Sequence, residues 1–484
     1  MPLLTVARMF SQRIALGVLV LTTSACVTTS TASSAPADAG VREPQVLAEK
    51  ITALETEARV VLSGIDETLW SHWTTGAPLE LSKPREGHDA LLSPETLKTL
   101  RRARELQAVQ PKRVDDLERW VAGELLARGV ATERADVAAL EATLTFTVDA
   151  REHAWRDLPR LLANERSAVK RRALWTASTL AAQKLDPVLL KLEARTAEVT
   201  QQLGLPTDFE VRSRGLTPGT LKTRAEALLA DTDEEWKTTL QRLSDADVKL
   251  PVASLTRADL PRLLRVPTNV DAEFSKDKLQ TRLDTLAGLD GIKVDLSDAP
   301  RKNFVPLAVA PSPTDVRLSG RPVSGLREQQ QLVSEAGVAL QLRGAARLED
   351  PSFALEQAEL FAGLFRDDAW LTEAGVTLRG ETIAAARALW LFQARRSAAV
   401  LLSKLEPQSD EAVARAKYVA LMTRALGITL APEEAARFRL ELGDAWRTAS
   451  QLDAMLKAEK RRATLANGWW KQPLAERAAG TAQP

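Results

Sequence analysis

The segment DVRLSGRPVSGLREQQQLVSEAGVAL, from Asp315 to Leu340, holds two patterns in succession. Asp315-Val316-Arg317-Leu318 alternates polar and apolar residues with period two, which predicts a half-buried strand. Gly320, Pro322 and Gly325 break that pattern. A long helix is predicted beyond them, over 326–345. Just upstream, Ile292-Lys293-Val294-Asp295-Leu296 also alternates, and Phe304-Val305-Pro306-Leu307-Ala308-Val309 is short, apolar and bounded by Pro and Gly. The region from about 292 to 319 therefore predicts a small sheet, the only substantial one in the chain, feeding directly into a long helix.

The rest of the chain is helical in pattern. Val114, Leu117, Trp120, Val121 and Leu125 recur at helical spacing, as do Leu221, Ala225, Leu228 and Leu229. Ser93-Pro94-Glu95 reads as a cap, a first-turn proline and a first-turn acid. Further helices are predicted over 352–366, 379–404, 410–426 and 432–460. Asp157-Leu158-Pro159-Arg160-Leu161-Leu162 nearly recurs as Asp259-Leu260-Pro261-Arg262-Leu263-Leu264. Each reads as a capped helix start, and two copies of six residues do not make a repeat.

Composition fits a globular, mostly α chain. Of 484 residues, 45% are hydrophobic and only 5% aromatic, with one tyrosine, Tyr418. Lys and Arg number 65 against 64 Asp and Glu, interleaved along the chain as on solvated helix faces, so no basic surplus points to nucleic acid. Most of the eleven tryptophans read as packing. Trp70 and Trp73, flanking His72 among polar residues, are candidate surface contacts.

The single cysteine excludes an intrachain disulfide, and its setting points to export. Arg8 and Arg13 form a positive region, Ile14 to Leu21 a short apolar one, and Thr23-Ser24-Ala25 supplies small residues before Cys26. Ser-Ala-Cys resembles the end of a bacterial lipobox, with Thr23 where an aliphatic residue is usual. The resemblance implies that Cys26 becomes the acylated first residue, holding the protein by its lipid at a membrane of the bacterial cell envelope, on the periplasmic or outer-membrane side. Removing residues 1–25 takes two arginines and no acids, so the formal net charge goes from +1 to −1. Residues 26–42, beginning Val27-Thr28-Thr29-Ser30, read as a flexible tether. A helical region over 43–290, a second region over 291–475 and a polar tail over 476–484 complete the expected organisation.

The segment 315–340 resembles the centre of the oligoendopeptidase F and thimet oligopeptidase family. That family places an Asp-Val-Arg-type strand and a Gly-containing loop before Leu-x-His-Glu-Ala-Gly-His-Ala-Leu. Leu332, Glu335, Ala336, Gly337, Ala339 and Leu340 match; Ser334 stands where the first histidine belongs and Val338 where the second belongs. The segments 157–165, 258–265, 304–307, 390–402, 446–456 and 468–470 extend the resemblance over most of 45–475. It implies a gluzincin-like helical fold with a deep central channel and a small sheet beside the motif helix.

In such a helix two histidines four residues apart bind one zinc ion, and the glutamate acts as base on the metal-bound water. Here Glu335 keeps the position of the base. Ser334 and Val338 are degenerate ligand positions, and the third ligand is matched by Glu356, with Glu359 as rival. Leu442 stands where the resemblance puts an oxyanion-stabilising tyrosine, and Tyr418 does not match that pattern. The three histidines, His72, His88 and His153, never lie four residues apart. Zinc is expected to be lost.

The resemblance, with both histidine positions replaced, thus implies a pseudo-peptidase with a peptide- or protein-binding or structural role. The alternative is an active metallopeptidase with an atypical metal site. A third reading is a structural envelope protein whose cleft is filled in. A glycosidase-like pair of Glu335 and Glu356 would need a defined separation across a cleft. The sequence assigns no partner protein and no oligomeric state.

Overall fold

The computed structural model describes residues 39–343, 348, 352–408 and 410–472. Cys26, the signal segment, most of the tether and the 476–484 tail lie outside these residues.

The sheet forms where the period-two pattern placed it. Strands β3 (Lys293–Asp295), β4 (Leu307–Ser312) and β5 (Asp315–Ser319) are ordered β3-β5-β4. β5 pairs parallel with β3 (Val294 opposite Leu318) and antiparallel with β4 (Ala308 opposite Leu318). β4 starts only after Pro306 and runs to Ser312, so the stretch 304–306 is not strand. Phe304 stands 63% exposed, with the Arg321 guanidinium 4.2 Å from its ring centre.

A second, two-stranded sheet was not anticipated. β1 (Thr145–Val148) and β2 (Arg151–Ala154) form a hairpin. Its two turn residues, Asp149 and Ala150, both have positive φ, 50° and 58°. This backbone suits Asn-Gly or Asp-Gly, and alanine carries no such signal.

Two helices, α1 (Ala39–Thr75) and α2 (Leu326–Leu342), pack on this sheet, and behind α2 lie α3 (Ser352–Ala362), α4 (Arg379–Leu405), α5 (Glu411–Leu426) and α6 (Ala445–Arg462), with α3 on α2, α6 on α3, α4 on α6 and α5 on α4. α1 begins inside the expected tether. The predicted helix over 432–460 is broken: a 3-10 turn over Pro432–Arg437 and a short helix Phe438–Leu442 precede α6. Ser93 does cap the helix Pro94–Glu105, its side chain accepting from the Thr96 N–H.

Helices Leu158–Asn164 and Leu260–Leu263, the two near-identical segments, pack on each other. Their aspartates differ. Asp157 makes no side-chain cap. Asp259 accepts from both the backbone and the hydroxyl of Thr256 at 2.8 Å and pairs with buried Arg171 at 2.6 Å.

The sheet divides two apolar cores. Leu307 and Val309 of β4 belong to a core built with Val61, Ile65 and Leu69 of α1. Ala308 and Ala310, on the opposite face, belong to the main core with Leu332 and Val338 of α2. Buried on both faces, β4 reads as a continuous apolar run rather than an alternating one. The main core draws residues from both sides of position 290, such as Leu279 and Leu332. Trp73 and Trp390 are buried, and Trp73 donates its indole N–H to the Val305 carbonyl at 3.0 Å, so it is a core clamp and not a surface contact. Trp70 is half-buried, with Arg317 5.7 Å from its ring centre. Among the described residues no helix is long and apolar enough to cross a membrane.

Candidate functional site

α2 is held at its start by groups from other elements. Asp271 accepts from the Leu326 N–H at 3.0 Å, one of the donors that a helix leaves without an internal partner. Buried Gln329 accepts from Arg282 at 2.7 Å, and its amide nitrogen faces the carbonyls of Phe274, Ser275 and Val323. Burial pulls the Arg282 guanidinium down to about 10.

Along α2 the three motif positions face three different partners. Ser334 Oγ donates to the Ala358 carbonyl of α3 at 3.0 Å. Val338 is 3% exposed and packs in the main core. Glu335 is 7% exposed and accepts from the Ala308 N–H of β4 at 2.7 Å. At these positions the motif helix meets packed protein, so Glu335 and Val338 do not open onto a channel.

Gly337 explains itself through packing. A Cβ there would fall 2.8 Å from the Gln357 carbonyl and from the Phe361 ring. Glycine lets α2 and α3 approach, and Ser334 and Gln330, which donates to the Ala362 carbonyl at 2.9 Å, stitch the same contact. A histidine at 334 would displace one of those stitches.

The carboxylates at the sheet do structural work of their own. The Ala308 and Ala310 N–H groups point away from β5, along the outer edge of β4. Glu335 of α2 takes the first, and Asp66 of α1 takes the second at 2.9 Å. Both donors are buried, and a buried N–H without a partner costs about 1–3 kcal/mol. The last turn of α1 continues the closure, its Trp73 carbonyl accepting from the Asn303 N–H at 2.7 Å.

The two third-ligand candidates sit on the far side of α3, against α6. Glu356 pairs with Arg461 at 3.3 Å. Glu359 accepts from the Gln451 amide and lies near Arg366 and Glu459. Burial pushes the Glu359 carboxyl up to about 7, against the pull of Arg366 and with a push from Glu459. Glu335 therefore faces the sheet while Glu356 and Glu359 face α6, and no cleft brings the first together with the others as a catalytic pair.

Tyr418 is fully buried in α5. Its hydroxyl accepts from Arg257 at 3.1 Å, and burial raises its pKa. Leu442, half-buried, packs against the main core. The histidines are scattered. His72 Nδ1 lies 2.6 Å from the Ala77 carbonyl, His88 Nδ1 lies 2.7 Å from Glu57, and His153 lies against Phe146 on the hairpin.

No family model and no curated protein sequence matches the chain. Solved structures do. PZ peptidase A, in a structure with an inhibitor, superposes with a TM-score of 0.56 over 93% of this chain and 94% of its own, at 12% identity. An oligoendopeptidase F from Bacillus anthracis str. Ames superposes with a TM-score of 0.52 over 92% of each chain, at 11% identity. The chain has an oligoendopeptidase-like fold. At such identities the likeness concerns the fold alone.

The residues at the motif positions do not fit the zinc ion that the motif resemblance implies. The Ser334 hydroxyl is spent on a carbonyl, Val338 has no donor atom, and zinc prefers nitrogen and sulfur ligands. Among the described residues no three His, Cys, Asp or Glu side chains cluster in a way that could hold a metal ion.

Proposed function

We propose that this chain is a pseudo-peptidase: a lipid-anchored protein of the bacterial cell envelope that uses a peptidase-like body for binding or support and does not hydrolyse peptides. The observation that carries the reading is what became of the motif helix. Its two ligand positions are a helix–helix hydrogen bond, through Ser334, and core packing, through Val338. Its base position, Glu335, is bonded to a strand amide. A base without a metal-bound water at hand has no nucleophile to generate.

Metal analysis and peptide cleavage test this together. The purified protein should carry well under one zinc per chain, and it should release no fluorescence from quenched peptides, with or without added zinc. Stoichiometric zinc with chelator-sensitive cleavage would establish the atypical metallopeptidase instead.

The anchor rests on the order of charged, apolar and small residues ending at Cys26. Several acyl chains on one residue hold a protein stably where one chain is marginal. Cys26→Ser should move the protein from the membrane fraction to the soluble fraction, and mass spectrometry should find lipid on Cys26 of the parent. A mature form starting at another residue, without lipid, would refute the anchor.

A further inference from the structure

A cleft of about 240 Å³ opens on a flank of the main core, lined by none of the motif residues. One wall is the start of α4, where Gly380, Ala384, Ala385 and Ala388 present nothing larger than a methyl group. Longer side chains on that face would fill the space. The stretch 263–267 and Leu243 of the helix Asp233–Leu243 complete the lining. Leu263, Leu264 and Val266 are buried and make the floor apolar.

The rim is charged and unevenly committed. Glu381 accepts from Asn269 at 2.7 Å. Arg242 and Arg265 are exposed and, among the described residues, make no side-chain hydrogen bond or ion pair. Other arginines of this flank are taken: Arg262 by Asp247, Arg379 by Asp368, Arg387 by Glu235 and Arg395 by Asp233. The 27-residue helix α4 adds to the positive field. Leu378 caps it with no side-chain hydrogen bond, and Gly380 and Glu381 of its uncapped first turn line the cleft. First-turn amides lack helical acceptors and favour an anion. The volume is below the roughly 300–1,000 Å³ of sites for drug-sized ligands, so the occupant is small.

We propose that this cleft binds a free medium-chain monocarboxylate, its alkyl chain on the Leu264–Val266 floor and its carboxylate at the rim beside Arg242, Arg265 and the start of α4. The site is separate from the motif helix and does not depend on whether the protein is a peptidase.

Octanoate is a suitable probe, titrated calorimetrically into the protein. Saturable binding with a Kd below about 1 mM is expected. 1-Octanol, with the chain and no charge, should bind at least tenfold more weakly. Arg242→Gln combined with Arg265→Gln changes only exposed side chains and should weaken octanoate at least tenfold. Ala384→Leu should abolish binding by filling the cleft, with circular dichroism confirming that each variant is folded. No saturable binding up to about 10 mM, or unchanged affinity in either variant, would overturn the proposal; equal affinity for 1-octanol would remove the carboxylate from it.

Discussion

Glu441→Ala should lower the stability of the protein by about 3–5 kcal/mol in urea denaturation at pH 7, the cost of leaving a buried cation without its partner. Glu441 is 8% exposed and stands among three guanidiniums. One oxygen accepts from Arg257, the other pairs with Arg396 at 3.0 Å, and Arg437 lies 3.5 Å away. Burial pushes its carboxyl up, but the three cations overcome that and hold it well below the usual carboxylate range. Removing the carboxylate leaves Arg257, itself 7% exposed, with Glu434 at 3.4 Å and the Tyr418 hydroxyl as its polar contacts. The Trp175 ring packs beside both guanidiniums, 5.3 Å from Arg257 and 4.4 Å from Arg437. The network joins five stretches of chain, at 257, 396, 418, 434–437 and 441, and its loss should be felt globally. Adding Arg257→Met to Glu441→Leu should recover only part of the loss, because Arg396 and the buried Arg437 still lose Glu441 and the buried Glu434 loses Arg257. A loss under about 1 kcal/mol for the single variant would mean that the ion pairs contribute little.

Glu359 should make the stability fall as the pH rises from about 4.5 to about 7, and Glu359→Gln should flatten that fall. An ordinary glutamate releases its proton near 4.5, whereas the folded chain keeps this one to about 7. Between these values the folded state holds a proton that the unfolded state has given up, so stability declines as pH increases and levels off above 7. At about 1.4 kcal/mol per unit, the whole decline is about 3.5 kcal/mol, a ceiling for a side chain that is only half-buried. Glutamine keeps an oxygen for Gln451 and carries no titrating proton. Denaturation of both forms at pH 5 and pH 8 decides the matter: the variant should gain on the parent at pH 8, and identical pH slopes would sink the idea.

Periodicity carried most of the fold. Strands pairing over 293–319 and the helix from Leu326 follow from local pattern, because alternation and helical spacing act on near neighbours. Misses came where the signal was conformational or distant. The 145–154 hairpin turns on an alanine with positive φ, which nothing in the residue type announces. Trp73, set among polar residues, is buried because residues 303–305 arrive from 230 positions away. At the site, the sequence showed which residue types stand at the motif positions but not what they touch. Ser334 bonding to α3 and Glu335 bonding to β4 depend on how three elements pack. Asp66 had no sequence signal at all: one acid on a long helix looks like solvated surface until the Ala310 amide is found against it.

That pairing of Glu335 and Asp66 with the rim of β4 bears on colloidal behaviour. A sheet edge with free amides is a template for other chains, and proteins crowded on a surface meet such templates often. Here one edge of the three-stranded sheet has its outward donors at Ala308 and Ala310 already bonded by buried acids, under the cover of α1. The other edge, β3, is three residues long and carries Lys293 and Asp295. β4 thus offers a neighbouring molecule no free amide at 308 or 310, and β3 offers only a three-residue, charged stretch to extend.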